Sequence, residues 1–100
     1  MQLSPHFTLA EMTQSQTASR RGIRNVPGDA EIRALTLLCE KVLEPVRAHF
    51  GKPVIVTSGY RSPRLNTAIG GSANSQHCKG EAADFTIPRE TNRAVFEWIW

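Results

Sequence analysis

The sequence predicts an α+β fold. Three observations carry that expectation. Residues 29–50 hold one long amphipathic helical pattern. Two short stretches, 54–57 and 82–87, are β-branched or apolar and are bounded by turn residues. The chain has 100 residues, 40% of them hydrophobic and 21% charged, which is the composition of one small globular domain, 1–100.

The first 28 residues read as polar and irregular, with one local signal. Phe7-Thr8-Leu9-Ala10-Glu11-Met12 has a hydroxyl residue and, three places on, a glutamate, so Thr8 is expected to cap a short helix reciprocally with Glu11. The Ser/Thr/Gln-rich run from Thr13 to Arg20 reads as loop, and Asn25-Val26-Pro27-Gly28 as a turn.

In the long helix, Ile32, Leu35, Leu38, Val42, Val46 and Phe50 recur at steps of three and four and are expected on one face. Asp29 and Glu31 stand in its first turn, where negative charge favours the helix dipole. Gly51 and Pro53 end it. Pro45 breaks the pattern: it lacks an N–H and its ring crowds the preceding turn, so a kink or split is expected near Leu43.

Val54-Ile55-Val56-Thr57 reads as a buried strand ended by Ser58-Gly59. Over 62–69, Ser62 caps a short helix, Pro63 takes its first position, and Leu65, Ala68 and Ile69 form its apolar side. Gly70-Gly71 breaks it. A polar loop follows over 72–80, then a second strand from Ala82 to Ile87 stopped by Pro88. Thr91 caps a last helix with Val95, Trp98 and Ile99 on one face. Its apolar end at Trp100 suggests a domain whose C-terminal part is missing.

Composition excludes several functions. Twelve Lys and Arg against nine Asp and Glu give a net charge of +3, a mild excess with no basic tract and no aromatic-plus-basic platform for nucleic acid. No apolar run approaches the roughly 20 residues of a membrane span. The N-terminus has neither the basic nor the apolar region of a signal peptide. Cys39 falls within the apolar helical pattern and reads as a buried thiol. With Cys78 it could form one bridge at most, which is not a disulfide scaffold.

Chemistry concentrates in Ser75-Gln76-His77-Cys78-Lys79-Gly80-Glu81-Ala82-Ala83-Asp84. An imidazole and a carboxylate seven residues apart, across a glycine turn, can converge on one point as metal ligands, or as a hydrogen-bonded surface pair. Asp84 is one of two aspartates and interrupts an apolar strand. By alternation it faces away from Ala83, Phe85 and Ile87, either toward a partner or toward solvent. Arg61, in Ser58-Gly59-Tyr60-Arg61-Ser62, follows a strand end on a glycine turn. There its guanidinium can reach a cleft or make a helix-cap contact. Cys78 beside His77 does not suit a nucleophile pair, because neighbours in extended backbone point apart. His6 and His49 read as surface or core-edge residues.

These motifs, taken in order, resemble the zinc D-Ala-D-Ala carboxypeptidase family of peptidases (peptidase family M15), especially its small phage-endolysin members. The residues that carry the resemblance are Ser58-Gly59-Tyr60-Arg61-Ser62, Leu65-Asn66, Gly70-Gly71, Ser75-Gln76-His77, Gly80, Ala82 and Asp84. Phe7 to Met12, Gly22-Ile23, Asn25-Val26-Pro27, Leu43-Glu44-Pro45 and Gly51-Lys52-Pro53 extend it over nearly the whole chain. The resemblance implies a small, largely antiparallel sheet flanked by helices, of the Hedgehog and DD-peptidase type, with a metal at the open face of the sheet. It implies one Zn2+ held by His77 and Asp84, Arg61 as the group that stabilises the reacting carbonyl, and Ser75 shaping the loop and touching substrate. It places a third ligand and an acidic general base downstream of Trp100, so the 100-residue chain itself is expected to be inactive. The implied substrate is a peptidoglycan stem peptide, cut in cell-wall turnover or in phage lysis after synthesis in the cytoplasm. A non-catalytic peptidoglycan-binding or phage structural module on the same scaffold is the alternative.

Overall fold

A computed structural model describes residues 1–90 and Arg93. The last helix expected from Thr91, with Val95, Trp98 and Ile99, lies outside the described residues. The fold is α+β: helices pack around two small antiparallel sheets.

The N-terminus is more ordered than its composition suggests. Strand β1 (Gln2–Ser4) pairs with β2 (Phe7–Thr8) in a hairpin. Strands this short show no readable alternation, and a lone hairpin is marginal in water. This one is held from outside. Leu3 and Phe7 enter the core. The Glu44 carboxylate accepts from Ser4 Oγ (2.6 Å), the His6 amide (2.8 Å) and His6 Nδ1 (2.6 Å). Helix α1 (Leu9–Thr13) follows with the expected reciprocal cap: Glu11 N–H donates to Thr8 Oγ1, and the Thr8 amide donates to Glu11 Oε1.

The expected loop over 13–20 is in fact largely helical. Helix α2 (Gln16–Arg21) is capped by Ser15, whose Oγ accepts from the Ala18 amide, and is closed by Gly22 in the left-handed region. With Ala18 as its one buried residue, α2 has no apolar stripe to read. Caps and tertiary packing make it.

The long helix forms and bends its own rules at Pro45. Helix α3 (Asp29–Leu38) passes into a π-helical turn (Cys39–Leu43) and then α4 (Glu44–Phe50), capped by Gly51 at φ 61°. The Glu44 amide reaches back five residues to the Cys39 carbonyl. Widening the turn accommodates a proline ring that would otherwise strike the carbonyl four residues earlier. The expected split near Leu43 is thus a change of winding. It also moves the buried face: Leu35, Cys39, Leu43 and Val46 are buried, whereas Val42, expected inside, is exposed.

Strand β3 (Ile55–Ser58) pairs antiparallel with β4 (Asp84–Thr86), with a register shift between Val56 and Ser58. Val54, Val56 and Ile87 face the core, while Ile55 is exposed, so one face of the sheet is open rather than both being covered. Helix α5 (Pro63–Ala68) has Ser62 as its N-cap and Leu65 buried beside Ala18 and Ile23, but Ile69 lies past its end and is exposed. Lys52 and Glu90 form an ion pair that joins the segments leaving α4 and β4.

Candidate functional site

Three side chains that the sequence singled out meet at the open face of the β3–β4 sheet. Asp84 opens β4, and its alternation with Ala83 and Phe85 turns it outward. Arg61 leaves the turn after β3. His77 sits on a 3-10 turn (Gln76–Lys79) between α5 and β4. Asp84 Oδ2 is 3.5 Å from His77 Nε2 and 3.6 Å from Arg61 Nη2. The Asp84 side chain is 63% exposed, against 13% for His77 and 19% for Arg61. Solvent therefore reaches the carboxylate, while imidazole and guanidinium are fixed from behind.

The imidazole is oriented by its other nitrogen. His77 Nδ1 lies 2.7 Å from the Gly59 carbonyl oxygen. A carbonyl can accept but not donate, so Nδ1 carries the proton and Nε2 of the neutral ring offers a lone pair. A ring nitrogen tied to a backbone carbonyl is the usual support behind a metal-bound histidine. In that tautomer Nε2 and Oδ2 are two acceptors facing each other at 3.5 Å, with Arg61 Nη2 3.6 Å from the same carboxylate oxygen. Two donors on one tetrahedral ion at about 2.0–2.2 Å each stand roughly 3.4 Å apart, so the pair fits a divalent metal. Among the described residues, no group of three His, Cys, Asp or Glu side chains gathers to hold a metal.

Ser75 lies one step behind this pair. Its Oγ accepts from the His77 amide at 3.2 Å and caps the 3-10 turn, which Gly80 closes at φ 73°. The Gly80 backbone runs so close to α3 that a Cβ there would stand 2.6 Å from the Glu31 carbonyl oxygen. The loop bearing His77 is thereby laid against the long helix. Cys78, beside His77, is a free, half-buried thiol, and Cys39 is free and buried.

Arg61 is held at both ends. Its Nε donates to Ser58 Oγ at 3.2 Å, and its backbone amide donates to the His77 carbonyl at 3.1 Å. The turn carrying it is clamped by α1: the Tyr60 amide donates to the Met12 carbonyl at 2.7 Å. Gly59 is required at this crossing, because a Cβ would stand 2.3 Å from Met12 O.

Asn25 was read in a turn and in the ordered motif set, but the sequence reading gave it no part in the site. Its Nδ2 donates to the carbonyls of Thr13 (2.7 Å) and Tyr60 (3.0 Å), and its Oδ1 accepts from the Ser62 amide (2.7 Å). One side chain thus brackets Arg61 on both sides. Asn66 plays a similar part for the loop before Ser75. It is buried, its Nδ2 donates to the Ser72 carbonyl at 2.7 Å, and its amide group fills the space where Gly71 lacks a Cβ. Asparagine side chains spanning loops have no periodicity, so their only sequence signal was membership in the ordered motif set. Among the described residues, no helix is long and apolar enough to cross a membrane.

Comparison with known proteins gives two findings. The sequence pattern of the family Peptidase M15 is matched by residues 5–99. The zinc D-Ala-D-Ala carboxypeptidase of Streptomyces albus G is 35% identical over 80 residues, which cover 79% of this chain and 30% of that protein. The chain therefore spans about a third of the length of the curated relative it matches.

Proposed function

The chain belongs to the peptidase M15 family, and from that premise we propose that it is a zinc-dependent peptidase domain acting on peptidoglycan stem peptides that contain D-Ala. The observation that carries this reading is the facing pair His77 Nε2 and Asp84 Oδ2 at 3.5 Å, with Arg61 beside it. The substrate class follows the name of the similar relative, a D-Ala-D-Ala carboxypeptidase. Cell-wall turnover or phage lysis is the setting that such a substrate implies.

His77 and Asp84 are the two zinc ligands in this reading. Zinc held by this pair would supply Lewis acidity toward a peptide carbonyl and toward a water molecule. Asp84 contributes a negative charge that retains the cation, and Gly59 fixes the ring so that Nε2 needs no reorientation to bind. Arg61 takes the charge that grows on the scissile carbonyl oxygen. Its guanidinium is anchored through Nε to Ser58 and therefore meets that oxygen with little reorganisation. Ser75 keeps the His77 loop in its turn and borders the substrate.

Calorimetric titration with zinc tests the reading. Metal binding is the readout because it depends on groups that the His77–Asp84 pair supplies. Micromolar or tighter binding is expected, weakened about tenfold or more by Asp84→Ala and by His77→Ala. Binding that neither substitution weakens would overturn the assignment.

A further inference from the structure

A groove runs away from Arg61 between α2 and β3. Its outer part encloses about 620 Å³ and is lined by Gln14, Gln16, Ser19, Arg20 and Thr57. Its inner part, about 290 Å³, shares Gln14, Gln16, Arg20 and Thr57 and extends to Ser58, Arg61 and the exposed Ile69. The two parts adjoin through these shared residues, and the inner one reaches Arg61, whose Nη2 stands 3.6 Å from Asp84 Oδ2.

The lining has one sign of charge. Among the described residues, Arg20 and Arg61 are its two ionic residues, and no Asp or Glu lines either part. Arg61 is committed to Ser58 and Asp84. Arg20 is not so committed: its Nη2 donates to Gln16 Oε1 at 3.3 Å on an exposed surface, and no carboxylate among the described residues pairs with it. Gln14 closes the outer edge of β3 by donating to the Val56 carbonyl at 3.2 Å, so neutral donors and acceptors fill the floor between the two cations. Such a channel offers an extended peptide amide partners along its length, an apolar wall at Ile69 for a small side chain, and a guanidinium at its far end. The fork of an arginine suits a carboxylate in two-point contact.

We infer that this groove is the peptide-binding channel of the site and that Arg20 selects substrates carrying a free carboxylate away from the scissile bond. The inference rests on the peptidase reading for the position of the scissile bond. The recognised group is either an internal carboxylate of the peptide or its C-terminal one. Arg20 is a specificity residue in this account and takes no part in bond cleavage.

The test is a binding titration, followed by calorimetry and by amide chemical shifts, on the metal-free and the zinc-loaded protein. The probes are a synthetic stem pentapeptide of sequence Ala-γ-Glu-Lys-Ala-Ala and two single amides of it, one at the glutamyl α-carboxylate and one at the C-terminus. The expected result is shift changes at Gln14, Gln16 and Thr57. One of the two amides should bind about fivefold or more weakly to the native chain, and Arg20→Gln should bind all three peptides alike at the weaker level. Which amide loses affinity identifies the source of the carboxylate. Arg33→Gln removes an equal charge from an exposed position outside the groove and should leave the discrimination intact. The inference is overturned if no peptide binds, if the shifts fall elsewhere, or if Arg20→Gln discriminates as the native chain does. A failed zinc titration with Arg20-dependent binding retained would remove the peptidase reading and leave the carboxylate site standing.

Discussion

The Gly59 carbonyl oxygen holds the imidazole of His77 from 2.7 Å, and the same glycine has the Met12 backbone pressed against the place where a side chain would start. One residue thus joins the orientation of the histidine to the packing of α1. Gly59→Ala is expected to cost about 2 kcal/mol or more, because the obstruction is backbone and cannot rotate away. It should weaken zinc binding as well, since His77 follows the strand end that must move. Urea midpoints paired with metal titration check this, and a variant of native stability would show that the crossing is looser than described.

Asn25 makes three hydrogen bonds to backbone groups, two of them on either side of Arg61 and the third at the end of α1. Asn25→Ala leaves those partly buried groups without their partner, and a loss of about 2–4 kcal/mol is expected. Asn25→Asp should be nearly as damaging. It keeps an acceptor for the Ser62 amide but turns a carboxylate toward the carbonyls of Thr13 and Tyr60. Comparing the two by chemical denaturation separates loss of volume from loss of donors.

Glu44 ties the N-terminal hairpin to α4, and its acidity should appear in the stability of the chain. Burial alone would raise its pKa, but the hydrogen bonds from Ser4 and His6, with the charge of His6, outweigh this and hold it below the ordinary 4.5. A folded-state pKa below the unfolded one means stabilisation that is fully present above the unfolded value and lost as pH falls through the folded one. Glu44→Gln should therefore be less stable than the native chain near neutrality. The gap should close as the pH falls below the ordinary carboxyl range and through the depressed folded-state pKa of Glu44. Urea midpoints taken across that range give the answer, and a gap that does not depend on pH would contradict it.

The two thiols should differ sharply in reactivity. Burial, reinforced by the charges of Glu44, Glu11 and Glu40, pushes the Cys39 pKa to about 11, so almost no thiolate is present at pH 8. Cys78 is half-buried on the 3-10 turn and reachable. A disulfide reagent on the folded chain is expected to titrate one thiol promptly and the second only on unfolding. Prompt reaction of both would mean that the core around Cys39 opens readily.

Local features of this fold were legible in the sequence. Thr8 with Glu11, Ser62 with Pro63, the acidic pair Asp29 and Glu31 in a first turn, and Gly51 as a C-cap each act within a few residues, and each is found where it was read. What escaped was set at a distance. The hairpin at Gln2–Thr8 is fastened by a glutamate about forty positions on. Helix α2 buries one alanine and so carries no stripe. Val42 points outward because the π turn displaced the face on which its spacing had put it. At the site, the ordered motif set singled out Arg61, Ser75, His77 and Asp84 through a family resemblance, and the fold brings Arg61 and His77 each within 3.6 Å of Asp84. The clamp by Asn25 and the crossing at Gly59 depend on which loops meet, and the order of residues along the chain does not encode that directly.

The π turn over Cys39–Leu43 also acts as a phase setter. Helix α3 backs the loop of His77 through Glu31 and Leu35 at Gly80, while α4 carries Glu44 to the N-terminal hairpin. An α-helix advances about 100° per residue, so the single surplus residue in that turn fixes the angle between those two tasks. Removing one exposed residue there, such as Glu40, would leave a better-wound helix. Winding all the same residues as regular α-helix would instead swing Glu44 and Val46 about a quarter-turn from Ser4 and from the core. In this chain the irregular winding is what allows one rod to serve two clients that face different ways.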